Sequence, residues 1–319
     1  MPGFATHYLF GVDACRHLAS ARLQHNIKKY HCAYALGLQG PDLFFYYLPS
    51  YLMHKENLGA LAHSTRTGEF FSNLLDSRRL FAGKKRELAI ADIYILGFLG
   101  HYTLDCTLHP YVYAFTGYSP KNPPRQTQYF GRHAYFETEI DNLLLWQKKH
   151  MRPSEFHPYA TIRLSPREHR VIMRMLVYAY RTTYPGVLAT EILLGSAPQW
   201  MMLCMRLFND PSGQKKVLVR LFERIAFGRA FLSPLLPSDK LRFIVDPLNH
   251  RRKTWRHPWS GQASNATFDE LYASAGRRYM ARIRAYCTLV RAGFPDDLRA
   301  RFLKEYGSLS FQSGLPCES

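Results

Sequence analysis

No stretch of this sequence is long and apolar enough for a membrane span. The longest, Leu88 to Gly100, is interrupted by Asp92 and falls short of the ~20 residues needed to cross a bilayer. Cysteine pairing is missing too. Cys15, Cys32, Cys106, Cys204, Cys287 and Cys317 form no C-x-x-C spacing, which excludes a zinc knuckle and a thioredoxin-like redox motif and leaves reduced, mostly buried thiols as the expectation. Alternating runs of β-branched residues are nearly absent, which argues against sheet. No basic segment followed by an apolar run stands near Met1, so no secretory signal is read there and a cytoplasmic location is expected. Acidic residues are scarce beside basic ones, 24 against 42, giving a net charge of +18.

What is present builds a core. Of the 319 residues, 47% are hydrophobic and 21% charged, a balance that excludes wholesale disorder. The positive excess is uneven. Residues 1–150 hold 16 Lys/Arg against 11 Asp/Glu, a net of +5; residues 151–319 hold 26 against 13, a net of +13. Such a surface suits anionic partners (phosphate esters, anionic lipid headgroups or nucleic acid), and charge alone does not rank them.

The apolar periodicity is helical almost throughout, so the expected fold class is all-α. Thr6 is placed to N-cap a helix from His7 to about residue 19. Further helices are predicted near 23–38, 64–80, 85–109, 128–150, 166–183, 188–208, 213–232 and 268–292. The Pro- and Gly-rich stretches 116–124 and 246–266 read as loops.

Most of the 14 histidines call for no special role, but five keep telling company. In GHYTLDCTLHP, His101, Asp105 and His109 recur at i, i+4 and i+8, drifting only about 80° around a helix over ~12 Å. Their helix also carries Ile93, Leu96, Phe98 and Leu99, so it is a core helix, where ionisable groups need partners; a cation would satisfy all three. Pro110 disfavours helix at His109 and predicts a helix end there. In GRHAYFETEID, His133 and Glu137 share a face that Asp141 continues, while Glu139 points away and is expected in solvent. Two such helices would supply zinc from facing sides. His7, Asp42 beside the Gly40-Pro41 turn, and His63 ahead of an expected cap at Ser64 or Thr65 are weaker singly. Phe44 to Tyr47 would line an apolar pocket or, more often for such a run, pack in the core.

The order THYLFG, GPDLFFY, a single His, H-x-x-x-D-x-x-x-H and H-x-x-x-E resembles the zinc-dependent phospholipase C/D family over about residues 1–145. That family includes bacterial phosphatidylcholine-hydrolysing phospholipases C, and single-strand-specific zinc nucleases share its fold. The resemblance implies a multi-helix zinc domain; with the further C-terminal helices, the expected organisation is a catalytic core at 1–155 and a basic helical half at 156–319 packed on it as one unit. It implies that Asp42, His63, His101 and Asp105 bind one zinc, and His109, His133 and Glu137 a second. A third would lie at His7 and a bridging Asp105, which in secreted relatives also uses the N-terminal amine and here depends on removal of Met1 before Pro2. Asp42 is the implied general base. The three residues between Asp105 and His109 are fewer than secreted phospholipases C have, and look more like the phospholipase D branch.

The function so implied is metal-assisted hydrolysis of a phospholipid or related phosphodiester, with peripheral contact to an anionic membrane. The alternatives are a zinc nuclease on single-stranded nucleic acid, for which Trp255, Arg256 and Trp259 are the one hint of a stacking patch, and a non-catalytic protein with structural zinc.

Overall fold

The segment that reads as most apolar becomes the axis of the molecule. The computed structural model describes residues 3–317 apart from 55, 122–125, 229, 231 and 241–243, and the backbone alone of 126–128. In chain order the helices are α1 (Phe4–Arg16), α2 (Ala21–Lys29), α3 (His31–Gln39), α4 (Leu48–Met53), α5 (Leu58–Ser64), α6 (Thr67–Asp76), α7 (Lys85–Phe115) and α8 (Gln126–Lys149). They continue as α9 (Pro158–Thr161), α10 (Pro166–Thr183), α11 (Glu191–Gly195), α12 (Ala197–Phe208), α13 (Gln214–Phe227), α14 (Phe268–Arg291) and α15 (Asp296–Tyr306). One antiparallel pair, β1 (Trp255–Arg256) with β2 (Ala263–Ser264), is the only sheet among the described residues. The all-α expectation is correct.

Helix α7 is buried on every side over most of its length, as a helix apolar all round must be. It packs chiefly on α3 and α14. The α3 crossing is close because glycines meet there. A Cβ on Gly97 would collide with the Tyr34 carbonyl, and one on Gly37 with the Tyr94 carbonyl. On the α14 side, polar groups interleave with the apolar ones. Tyr279 donates to the Leu96 carbonyl (2.7 Å), Arg282 to Thr103 Oγ1 (2.8 Å) and Tyr286 to Asp92 Oδ1 (2.8 Å). Asp92, which breaks the apolar run in the sequence, is also paired with Arg78 at 2.6 Å. Helices α10 and α14 start at full capping boxes, Ser165 with Glu168 and Thr267 with Glu270, and lie within a residue of the expected bounds.

Several boundaries differ from expectation, each for a local reason. Helix α1 begins at Phe4, not after Thr6; Thr6 sits inside the first turn and donates to Asp141 instead. The stretch expected at 23–38 breaks at Tyr30 into α2 and α3. His63 lies near the end of α5 rather than ahead of a helix, because Asn57 caps α5 through Gly59 N–H (2.8 Å) and Ala60 N–H. The predicted 188–208 helix is two, α11 and α12, and α15 was not foreseen. Glu139 is buried, not solvated, because α13 covers that side of α8 and sets Lys216 over the neighbouring Tyr135 ring at 5.0 Å. The 246–266 stretch is irregular as expected, save for the short β pair. Pro123 and Pro124 of the other predicted loop lie outside the described residues.

Candidate metal centre

Five elements bring eight side chains to one buried place. Helix α7 supplies His101, Asp105 and His109 from a single face, as the i, i+4, i+8 spacing requires. Contrary to the predicted stop, α7 runs through Pro110 to Phe115, so His109 stands within the helix. Pro110 leaves the Cys106 carbonyl without its helical N–H. Gly314, at φ 64°, lies so close to that oxygen that a Cβ there would collide with it. The segment 307–317 thus covers the proline site.

The same segment reaches the ligands. Phe311 is fully buried, with its ring centroid 4.8 Å from that of His63 and 5.7 Å from that of His101. Its carbonyl takes His109 Nδ1 at 2.6 Å. That bond fixes the N–H on Nδ1 and leaves Nε2 with its lone pair. His63 is set likewise by the Gly59 carbonyl at 2.7 Å, and His133 Nδ1 meets the Tyr129 hydroxyl at 2.9 Å. Asn57 ties α5 to the Asp42 segment by donating to the Phe44 carbonyl at 2.8 Å. On α1, Asp141 accepts from Ala5 N–H (2.9 Å), Thr6 N–H and Thr6 Oγ1–H, which holds the turn carrying His7. Asp141 therefore anchors an element and does not join the His133–Glu137 face.

Asp105 lies between the donors. Its Oδ1 is 3.2 Å from His7 Nε2, and its Oδ2 is 3.2 Å from His101 Nε2, 3.4 Å from His63 Nε2 and 3.8 Å from His109 Nδ1. Asp42 Oδ1 lies 3.3 Å from His63 Nε2 and 3.9 Å from His101 Nε2. His133 Nε2 is 2.8 Å from Glu137 Oε1. Three donor sets result: His7, His101 and Asp105; Asp42, His63 and His101; and His109, His133 and Glu137, each with its atoms within 4.8 Å of one another. His101 belongs to two of them.

The charges are mutually dependent. Burial alone would raise Asp105, but the imidazoles around it, His109 foremost, hold its carboxyl well below the usual range. Burial opposes protonation of His63, yet the Asp105 and Asp42 carboxylates beside it outweigh burial and push the ring up to about 9. Burial lowers His7, His109 and His133, and raises Glu137.

These residues fit a cation. Both nitrogens of His7, Nδ1 of His101, Nε2 of His109, Oδ1 of Asp42 and both oxygens of Asp105 are buried without a hydrogen-bond partner among the described residues. Groups of this kind are costly to bury unless something satisfies them. Neutral imidazole nitrogens with carboxylate oxygens are the donor set zinc takes. A divalent ion would replace the proton that these carboxylates now favour on His63.

Fold and site together define a helical protein with a buried histidine–carboxylate cluster able to hold metal. A family model described as zinc-dependent phospholipase C matches residues 6–180, and the chain belongs to that family. No curated protein and no solved structure matches it. Among the described residues no helix is long and apolar enough to cross a membrane.

Sequence reasoning picked out every ligand-type residue brought together here, but missed the groups that orient them. Asn57, directly before LGALAHS, was a legible cap signal. Phe311 carried none, since its contribution is a backbone carbonyl and an aromatic ring brought from far along the chain. Phe44 and Tyr47 are core; Phe45 and Tyr46 are half-buried, with Phe45 beside His63 at 5.7 Å between centroids. Trp255 packs on Tyr111 and donates to the Ala266 carbonyl, and Trp259 packs on Tyr113 and Tyr118, so both rings serve the fold.

Proposed function

We propose that the chain is a zinc-dependent phosphodiester hydrolase of the phospholipase C type, acting on a phospholipid or related phosphodiester. The observation that carries this reading is that each of the three donor sets includes or approaches one carboxylate: Asp105 lies 3.2 Å from His7, 3.4 Å from His63 and 3.8 Å from His109. A phosphoryl group gathers negative charge as it reacts, and neighbouring cations answer that need. In this reading Asp42, His63 and His101, with Asp105 beside them, hold one zinc. His109, His133 and Glu137 hold a second, and His7 with Asp105 marks a third position. The N-terminal amine that would complete the third lies outside the described residues. When bound, zinc supplies Lewis-acid charge and a water of lowered pKa.

The remaining work falls to the chain itself. Asp105 offers one oxygen toward His7 and the other toward His63 and His101, so it sets the spacing between positions. The Gly59 and Phe311 carbonyls keep His63 and His109 in the tautomer that presents Nε2. The Asp42 carboxylate, beside His63, would accept a proton from the attacking water or orient it. Phe45 gives the site an apolar wall on the His63 side. Residues 1–155 contain every proposed ligand, and the basic half, 156–319, is assigned as a unit packed on that core through α10 and α14.

Asp105→Asn tests the site. Elemental analysis should show loss of at least about one zinc equivalent, and turnover of bis-p-nitrophenyl phosphate should vanish; full zinc with normal turnover would falsify the assignment. Parallel assays on phosphatidylcholine, bis-p-nitrophenyl phosphate and single-stranded DNA test the substrate class. Cleavage of DNA alone would make the protein a nuclease instead.

A further inference from the structure

Helix α13 is built inside out. At ~100° per residue, Val217, Leu218, Leu221, Phe222 and Ile225 form one stripe roughly 140° wide, while Lys216 and Glu223 fall near the opposite pole. The structure turns the polar pole inward. Lys216 and Glu223 are buried, whereas Leu218 is 66% exposed, Phe222 63% and Ile225 77%. The orientation is fixed by specific bonds. The Lys216 N–H donates to Asp210 Oδ2 at 2.7 Å, and its ammonium lies over the Tyr135 ring of α8. The Glu223 carboxylate accepts from the N–H groups of Leu232 and Ser233. A helix that spends its charges on anchoring and leaves its leucines outside presents those leucines to something.

Charge says what that is. Across α12 and α13 the exposed charged residues are Arg206, Lys215, Arg220 and Arg224, and all are cationic. The two acids of this stretch, Asp210 and Glu223, are both buried. Lys215 falls beside one edge of the apolar stripe and Arg224 beside the other, at the ~100° pitch of the helix, while Arg220 turns toward the Tyr135 ring of α8. Leu203 and Leu207 of α12 extend the exposed apolar surface. A second copy of this chain would bring the same positive charge to the contact and be repelled. A surface that is apolar within and uniformly negative at its rim matches both features, with the cations reaching up to headgroups.

We infer that α13, with the exposed edge of α12, is a docking face for an anionic bilayer surface. The helix lies in the interface, leucine stripe down, without spanning the membrane. It sits on the outside of α8, through Lys216 and Tyr135, while another face of α8 carries His133 and Glu137. The face lies beyond the residues the family model matches. The inference does not rest on the hydrolase reading, because its readout is partition rather than hydrolysis.

Flotation of the full chain with vesicles of phosphatidylglycerol and phosphatidylcholine, against vesicles of phosphatidylcholine alone, tests it. Binding should need the anionic lipid and weaken with salt. The triple variant Leu218→Gln, Phe222→Gln, Ile225→Gln should lose at least about tenfold in partition, with zinc content and circular dichroism unchanged. Arg224→Gln with Lys240→Gln, the lysine lining the surface beside Val217 and Leu218, should weaken binding to anionic vesicles while leaving the apolar stripe intact. Equal binding by the triple variant, or no binding by the native chain, overturns the proposal. So does a concentration-dependent dimer in sedimentation that the triple variant abolishes, since the face would then be a contact between copies.

Discussion

At the residue scale the centre depends on a few groups that never touch a metal. The Phe311 ring sits against His63, His101 and Tyr102, and its carbonyl holds His109. Phe311→Ala should cost roughly 3–5 kcal/mol by opening a cavity under the ligands. The cavity should also let the backbone of this segment shift and loosen the Phe311 carbonyl from His109, lowering zinc affinity toward the roughly 10–100-fold that loss of such an outer partner costs. Urea unfolding and competition with a chromophoric chelator read the two effects separately; unchanged affinity would reduce Phe311 to packing. The ligand residues were legible in the sequence because helical spacing alone puts His101, Asp105 and His109 on one face. The burial of Glu139 was not. Its own helix says only that it points away from His133, and whether that side meets water or α13 is a matter of tertiary packing.

At the element scale, α7 shows where local rules yield. The residue before a proline is biased away from helix, which is why a stop was expected at His109. Cooperative packing of α7 on α3 and α14 overrides that bias, and Gly314 closes over the carbonyl that Pro110 leaves unpaired. The starts of α10 and α14, by contrast, agree with the periodicity reading, and the structure seals each with a capping box built from four consecutive residues. The α3–α7 crossing carries a prediction of its own. Gly97→Ala forces α3 and α7 apart, and should destabilise the fold by about 1–3 kcal/mol even though alanine is the better helix former. A lower urea midpoint with an unchanged slope is the expected record. Because α3 leads directly into the Asp42 segment, zinc retention should weaken along with it.

At the scale of the whole molecule, the centre and the core are one structure. His7, Asp105 and His101 are buried among the apolar residues of α1 and α7, so the cost of leaving them unsatisfied is a cost to folding itself. Removing zinc with a chelator should therefore lower the melting temperature by roughly 4 °C for each site, given about 2.7 kcal/mol of linkage at a hundredfold excess over Kd. Re-addition of zinc should restore it, and a melting curve indifferent to chelation would detach the cluster from metal altogether. Helical class and the basic bias of residues 151–319 were open to reading in advance. The inverted orientation of α13 was not, since amphipathicity gives a helix two faces without saying which one turns in.

The reach of residue 311 back to the ligands has a consequence for biosynthesis. During translation His7, Asp42, His63 and the donors of α7 and α8 leave the ribosome well before Phe311, which follows Glu137 by 174 residues (311 − 137). At ~5–20 residues per second that gap lasts roughly 9–35 s. Throughout it the nascent chain carries a full complement of imidazoles and carboxylates with no plug beneath them and His109 unheld. The cation these side chains first encounter is thus a matter of what the cell offers at that moment. The contacts of Phe311 with His63, His101 and His109 can form only afterwards.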